Sequence, residues 1–250
     1  MAEFILEKTE KVTELPKGVF GNVTFQKISI SSTDLATVDP SALLSSKDRL
    51  EEVSIFSSAL KDFPFHILPQ LTQLKTLDLS SNMLNAVPAF DSPSLEMLDI
   101  SDNGIETLKP GWSIPNLVTL SIRYNPITAL PAGLVEGMKN LADFDASDCQ
   151  LGPILKKGSL TFRSEVLSKV FLGGNEIVNL EPGAITGLKA DTKLHLQQNM
   201  MTELKEDAFL PMLEDLGENG RIYLSVPTCL VHIPMLFHPA PARFTGPPET

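Results

Sequence analysis

The sequence of 250 residues predicts an α/β fold, namely a leucine-rich-repeat solenoid of about eight repeats. Two observations predict this fold class. One frame of apolar residues recurs along most of the chain, and successive copies lie 21–26 residues apart. A period of this length is typical of leucine-rich repeats, in which each repeat adds one strand to a parallel sheet.

The frame has eleven residues, of which the first, fourth, sixth and last are apolar; residues 74–84, for example, read LKTLDLSSNML. The alternation around the fourth to sixth residues predicts a short β-strand whose other side chains face a concave surface. The copies begin at Leu74, Leu95, Leu117 and Leu167, and in weaker form at Phe25, Leu50, Leu141 and Asp191.

The second half of most repeats supplies the convex side. It carries a Leu–Pro or similar pair and another apolar residue five positions later, as in residues 130–135. Segments such as EPGAITGL are short and marked by Gly and Pro. They predict one helical turn, a 3₁₀ segment or irregular structure per repeat rather than a long helix.

A polar ladder is predicted at the ninth residue of the frame, where the chain turns away from the strand. A side chain there can hydrogen-bond to backbone groups that the turn leaves unpaired. Cys149 occupies this ninth position in one copy, so we predict a buried, inert thiol rather than a nucleophile. The ladder consists of Thr33, Ser58, Asn82, Asn103, Asn125, Cys149, Asn175 and Asn199.

The repeats assign residues 1–224 to the solenoid, with a partial first repeat that ends in VTELPKGVF. Residues 225–250 contain six prolines and no further copy of the frame. This composition predicts an irregular or disordered tail.

Composition and motifs argue against several function classes. The net charge of -11 disfavours nucleic acid and anionic membranes as partners, and no apolar stretch is long enough to insert into a bilayer. The two cysteines form no metal-ligand motif, and the four histidines are scattered. The glycines of FLGGNE lack the spacing of a phosphate loop. We therefore predict no catalytic, cofactor or metal site, and a protein that is not an enzyme.

The outward side chains of the strands are the candidate partner-binding residues. Three roles are open for their carboxylates. They form a solvated face, they contact a partner, or they make a site for a cation or for acid–base chemistry. Arg123, Tyr124 and Phe171 are the first choices for contact, because Arg and aromatic residues dominate interface energetics. The predicted concave-face set is Asp78, Asp99, Arg123, Tyr124, Asp145, Phe171 and His195.

The sequence NVT makes Asn22 a candidate N-glycosylation site. The chain begins MAEFILEKTE, which is unlike a signal peptide and indicates a cytoplasmic protein if this N-terminus is complete.

In the residues between the frame positions, the sequence resembles the arthropod leucine-rich-repeat family of the Oplophorus-luciferin 2-monooxygenase non-catalytic subunit. The resemblance covers residues 15–224. The segments that show it include SSKDRLEEVSIFSSALKDFP, RYNPITALPAGLVEGMKNLADFDASDCQLGP, NEIVNLEPGAITGL and LKEDAFLPMLEDL. The resemblance implies a secreted, non-enzymatic protein with no catalytic residues, and the family's named member is the partner subunit of a secreted luciferase.

The chain departs from this family at both ends. Family members begin with a signal peptide and end in a cysteine-containing cap, whereas this chain ends its repeats with LSVPTCLVHIP. We interpret it as a partial or alternatively spliced product, or as a gene prediction with incorrect ends. Two functions remain open: binding of a protein partner on the concave face, and innate-immune or surface recognition of a glycan or microbial ligand there.

Overall fold

The computed structural model describes residues 2–225 and contains one parallel sheet of ten strands that follow one another in chain order. The predicted leucine-rich-repeat fold is confirmed. The strands are β1 (Glu3–Glu7), β2 (Lys27–Ser31), β3 (Glu52–Phe56), β4 (Thr76–Asp78), β5 (Met97–Asp99), β6 (Thr119–Ser121), β7 (Asp143–Asp145), β8 (Lys169–Phe171), β9 (Lys193–His195) and β10 (Arg221–Tyr223).

The sheet is longer at each end than the eight copies of the frame. β1 pairs with β2 through Phe4 and Ile28, and β10 pairs with β9 through Ile222 and Leu194. Neither end strand carries the full frame, so its place in the sheet comes from pairing with a neighbour. The predicted tail lies outside the described residues from position 226 onward.

The core is a stack of inward-facing side chains, which come from the central residue of each strand from β4 to β10. Leu77, Leu98, Leu120 and Phe144 are paired in register on neighbouring strands and have no exposed surface. Burying a side chain of this size contributes about 1.5–3 kcal/mol relative to leaving it exposed. This stack holds the outward side chains at fixed positions on the concave face.

The convex side is mostly irregular, as predicted, with two short helical segments, α1 (Pro40–Leu44) and a 3₁₀ segment at Phe65–Gln70. Pairs of two-residue strands also stack there. They are Glu14–Leu15 with Thr37–Val38, Ala86–Val87 with Thr107–Leu108, Ile154–Leu155 with Asn179–Leu180, and Leu160–Thr161 with Ile185–Thr186.

The last convex segment, α2 (Glu206–Leu216), is an 11-residue helix and is longer than the sequence predicted. Its Ala208, Phe209, Met212 and Leu216 are buried along one side, and Glu206 and Asp207 lie in the first turn, where carboxylates interact favourably with the helix dipole. The helix continues through Pro211, so the proline did not limit it to one turn.

Candidate functional site

Parallel pairing sets the outward side chains of the ten strands in rows across the concave face. The middle row comes from the centre of β1–β3 and from the last residue of each later strand. It runs Ile5, Ser29, Ser54, Asp78, Asp99, Ser121, Asp145, Phe171, His195 and Tyr223. Its central part is acidic, and its last three members are aromatic.

Each central carboxylate caps the backbone beyond its own strand. Oδ1 of Asp78 accepts hydrogen bonds from the N–H and hydroxyl of Ser80 at 3.0 and 2.7 Å. Oδ1 of Asp99 accepts from the Ser101 N–H, and Oδ1 of Asp145 accepts from the Ser147 N–H, each at 2.9 Å. The motif Asp-x-Ser therefore gives these carboxylates a structural task in addition to their position on the surface.

Asp99 lies between the other two carboxylates of this acidic part. Burial raises its pKa above the ordinary value of 3.8, and the charges of Asp78 and Asp145 raise it further, against the opposing effect of the Ser101 hydrogen bonds. No group of three or more His, Cys, Asp or Glu side chains within residues 2–225 is arranged to hold a metal ion.

Arg123 and Tyr124 form a preorganised pair just beyond β6. The Arg123 guanidinium carbon lies 4.4 Å from the centre of the Tyr124 ring, and the tyrosine is 49% exposed. Burial acts to lower the Arg123 pKa, but the Tyr124 hydroxyl and the carboxylates of Asp145 and Asp148 outweigh it and leave the pKa raised. The guanidinium is therefore a permanent cation beside an exposed aromatic ring.

The aromatic part of the middle row is a stack of three rings. Phe171 and His195 have ring centres 4.5 Å apart, and His195 and Tyr223 have ring centres 4.4 Å apart with planes inclined by 9°. Burial lowers the His195 pKa below 6.5, so the ring in the middle of the stack is neutral at pH 7. Tyr223 was absent from the predicted site, because no copy of the frame accompanies β10.

The polar ladder follows the strands at the sharp turn. The residue before each ladder member has a left-handed backbone, with φ between 48° and 65°, and this residue is Tyr124 in the repeat of β6. Asn125 is typical of the ladder: Oδ1 accepts from the Ile105 N–H of the preceding repeat at 3.0 Å. Its Nδ2 donates to the carbonyls of Ile100, Ile122 and Arg123 at 2.9–3.1 Å.

The other asparagines of the ladder also join neighbouring repeats, since the Oδ1 atoms of Asn82, Asn103, Asn175 and Asn199 accept from backbone N–H groups of the preceding repeat. At the start of the ladder, the Thr33 and Ser58 hydroxyls lie 2.9 Å apart and share one hydrogen bond. The ladder thus satisfies buried backbone groups at the turns, and it is not itself an exposed site.

The family profile for the leucine rich repeat matches residues 93–151, which contain β5 to β7. Together with the ten-stranded parallel sheet and the asparagine ladder, this match decides the class. The chain is a leucine-rich-repeat protein.

This leucine-rich-repeat protein is similar to two curated relatives. It is 27% identical to the Oplophorus-luciferin 2-monooxygenase non-catalytic subunit of Oplophorus gracilirostris over 242 residues, covering 86% of this chain and 60% of the relative. This similarity confirms the resemblance seen in the sequence. It is 28% identical to osteomodulin of Rattus norvegicus, covering 58% of this chain and 35% of that protein. The chain thus spans less than two thirds of the length of these relatives.

Among solved structures, the leucine-rich-repeat domain of APL1 superposes with a TM-score of 0.66 at 18% identity, covering 92% of this chain and 57% of that one. At this identity the likeness concerns the fold alone. No helix within residues 2–225 of this leucine-rich-repeat protein is both long and apolar enough to cross a membrane.

Cys149 interrupts the ladder of asparagines. It is 4% exposed, its Sγ donates to the Ile122 carbonyl at 3.4 Å, and burial raises its pKa to about 11. Because the thiol replaces an amide oxygen, the Ile127 N–H bonds instead to the Asn125 carbonyl of its own repeat, at 2.7 Å. The thiol is therefore buried and protonated at neutral pH.

A groove of about 430 Å³ opens beside the aromatic stack, and we call it the C-terminal groove. It was missed in the sequence because it depends on residues from four neighbouring repeats. Its lining residues are Ser147, Asp148, Phe171, Gly173, His195, Gln197, Gln198 and Ser225.

Asn22 lies apart from the concave face, between the convex strand Glu14–Leu15 and β2. It is exposed in the turn that follows Gly21, whose φ is 54°. The side chain is therefore accessible to a modifying enzyme.

Proposed function

We propose that the protein is a non-enzymatic binding protein that holds a protein partner against the central part of its concave sheet. The observation that carries this proposal is the Arg123–Tyr124 pair, in which an exposed tyrosine and a permanent cation lie 4.4 Å apart. These two residue types contribute most often to binding hot spots.

The backbone of this pair is fixed before any partner arrives. The Tyr124 N–H donates to the Ser147 carbonyl at 3.0 Å, and the Arg123 carbonyl accepts from the Asp102 N–H at 2.9 Å. Anchors that are already ordered lose little conformational entropy on binding, so more of the contact energy appears as affinity.

Charge favours a partner with a neutral or basic contact surface. Asp78, Asp99 and Asp145 lie in one row next to the anchor pair, and the whole chain carries a net charge of -11. A basic surface on the partner would complement this row and increase the association rate at low salt. The relative from Oplophorus gracilirostris is named a non-catalytic subunit, which supports a binding role rather than catalysis here.

The test is a capture experiment with the purified chain immobilised and whole secretions as the source of partners. We expect one protein to be retained in stoichiometric amount. Affinity for that protein should then fall at least about tenfold in Arg123→Ala and Tyr124→Ala, while the melting temperature changes little. Met83→Ala is the matched control. Met83 is also an exposed side chain, at 56%, but it follows its ladder residue Asn82, whereas the anchor pair precedes its own ladder residue.

Equal affinity of both anchor variants and the parent chain would move the partner site away from the middle of the face. Retention of the chain on glycan or bacterial matrices, with no stoichiometric protein, would contradict a protein partner.

The same proposal places the protein outside the cell, with a glycan on Asn22. When the chain is produced behind a heterologous signal peptide in a secretory host, we expect a glycosidase-sensitive mass that Asn22→Gln removes. A parent chain that is secreted without this mass would refute the modification.

A further inference from the structure

Gly173 opens the floor of the C-terminal groove. The residue two positions before each ladder member faces the concave side, and Gly173 is the only glycine among the eight. Gly173 lines the groove, and a Cβ atom at this position would lie 3.1 Å from the Gln197 carbonyl oxygen. The next residue, Gly174, has a φ of 65° and lies directly against the Asp148 carboxylate, which fixes that side of the groove.

The walls of the groove offer donors and acceptors at close spacing. Among residues 2–225, the carboxylate of Asp148 and the side-chain amide of Gln198 form no hydrogen bond to another protein group. The Gln198 backbone N–H donates to the Ser225 hydroxyl at 2.8 Å, which orders this wall. Neutral amides together with one carboxylate suit a ligand with many hydroxyl groups.

The aromatic stack makes the bottom of this region rigid. Its three rings are stacked with centres 4.4–4.5 Å apart, so each ring restricts the movement of its neighbour. A rigid bottom lowers the entropy cost of binding, in the same way as the fixed backbone does at Arg123 and Tyr124.

A row of cations lies on the other side of the aromatic stack. Lys169, Lys193 and Arg221 are paired in register on β8, β9 and β10. Lys169 forms an ion pair with Asp143 at 3.2 Å, but Lys193 and Arg221 are exposed and form no ion pair within residues 2–225. Lys193 begins β9, and Gln197 lies in the turn two residues after the end of this strand. One ligand can therefore span both the cations and the groove.

We propose that the C-terminal groove and its cation row bind an oligosaccharide that carries isolated carboxylates, as uronic acid sugars do. The sugar hydroxyls bond to Asp148, Gln197 and Gln198, and a carboxylate pairs with Lys193 and Arg221. A densely charged polyanion fits less well, because Asp145 and the rest of the acidic row adjoin the groove. This site uses residues outside the proposed protein-binding centre and does not depend on it.

The test is calorimetry with the full chain and two hexasaccharides. Hyaluronan hexasaccharide carries a carboxylate on every second ring, whereas chitohexaose is built from the same acetamido sugar without carboxylates. We expect hyaluronan hexasaccharide to bind at least about tenfold more tightly than chitohexaose, since a charge-assisted hydrogen bond contributes about this factor.

Three variants and one control locate the site. Lys193→Gln and Arg221→Gln should each weaken hyaluronan binding about tenfold, and Lys109→Gln should leave it unchanged, because Lys109 is exposed on a convex segment outside the sheet. Gly173→Gln adds the side chain that the next repeat carries at this position, and it should abolish binding by filling the groove. Because its Cβ would lie 3.1 Å from the Gln197 carbonyl oxygen, the melting temperature of this variant is compared with that of the parent chain to check its folding.

Three results would overturn the proposal. In the first, neither hexasaccharide binds. In the second, hyaluronan hexasaccharide binds equally well to Gly173→Gln and to both charge variants. In the third, a peptide of six glutamates binds as tightly as hyaluronan hexasaccharide and is weakened by the same variants. The last result would assign the groove to an acidic peptide. None of these measurements involves the captured protein partner, so this proposal and the proposed function fail separately.

Discussion

The central and C-terminal parts of the concave face share one backbone frame but differ in chemistry. In β4 to β7 the middle row holds Asp78, Asp99 and Asp145, whose carboxylates cap the following turns. In β8 to β10 the same row holds Phe171, His195 and Tyr223, which stack on one another. The comparison teaches that the buried half of the frame sets the fold, while the exposed half is free to build different surfaces.

The largest expected effect is the loss of the ring in the middle of the aromatic stack. His195→Ala removes two ring contacts, each contributing about 0.5–1.5 kcal/mol, so the free energy of unfolding should fall by about 2 kcal/mol. Ser121→Ala at the same row in the central part should change it by less than about 0.5 kcal/mol. Urea denaturation of both variants measures the difference, and equal losses would contradict a stabilising stack.

The second prediction concerns Cys149, which lies at the boundary between the two parts. Cys149→Asn restores the amide of the other repeats and lets the Ile127 N–H reach an acceptor across the repeat boundary. One additional buried hydrogen bond should raise the free energy of unfolding by about 1 kcal/mol. Cys149→Ala, which loses the 3.4 Å bond to Ile122, is the matched control and should be less stable than the parent. A less stable Asn variant would show that the thiol is the better fit there.

The third prediction concerns charge in the central part. Asp99→Asn keeps an oxygen acceptor for the Ser101 N–H but removes repulsion from Asp78 on the neighbouring strand. At pH 7 it should raise the free energy of unfolding by about 0.5 kcal/mol. Because the Asp99 pKa is raised, the folded state binds its proton more readily than the unfolded state. The advantage of Asn should therefore appear as pH rises above 3.8 and vanish below it.

A control for this variant is Asp62→Asn, which changes an exposed carboxylate outside the sheet. It should change the free energy of unfolding at pH 7 by less than about 0.5 kcal/mol. The same pH dependence in both variants would show that the effect comes from net charge and not from the acidic row.

The smallest expected effect is the pH dependence of the aromatic part. The lowered pKa of His195 means that the unfolded chain takes up the proton first as pH falls through 6.5. The contribution of His195 to stability is therefore complete above pH 6.5 and is lost at more acidic pH. His195→Phe keeps a ring in the stack and cannot titrate, so its stability relative to the parent should increase between pH 7.5 and about 5.5. A constant difference over this range would contradict the assignment.

The repeats, the ladder and the inward side chains were predictable because they obey a local period. An apolar residue at every inward step and a small polar residue at the turn must recur for the layers to stack. The same rule predicted that Arg123 and Tyr124, which follow the strand of their repeat, lie on the concave face. It failed at β1 and β10, where pairing with one neighbour replaces the frame, and at α2, where four buried apolar residues outweighed a proline.

The sequence by itself determined the fold class and the outward positions of the repeats that carry the frame, because strand alternation and turn chemistry are local properties. Only the tertiary structure decided which of those residues meet. Phe171, His195 and Tyr223 are 24 and 28 positions apart in sequence, and the parallel register brings their ring centres to 4.5 and 4.4 Å. The same register sets Lys193 and Arg221 side by side and leaves Gly173 as an open floor, since distances between repeats depend on strand pairing and not on sequence separation.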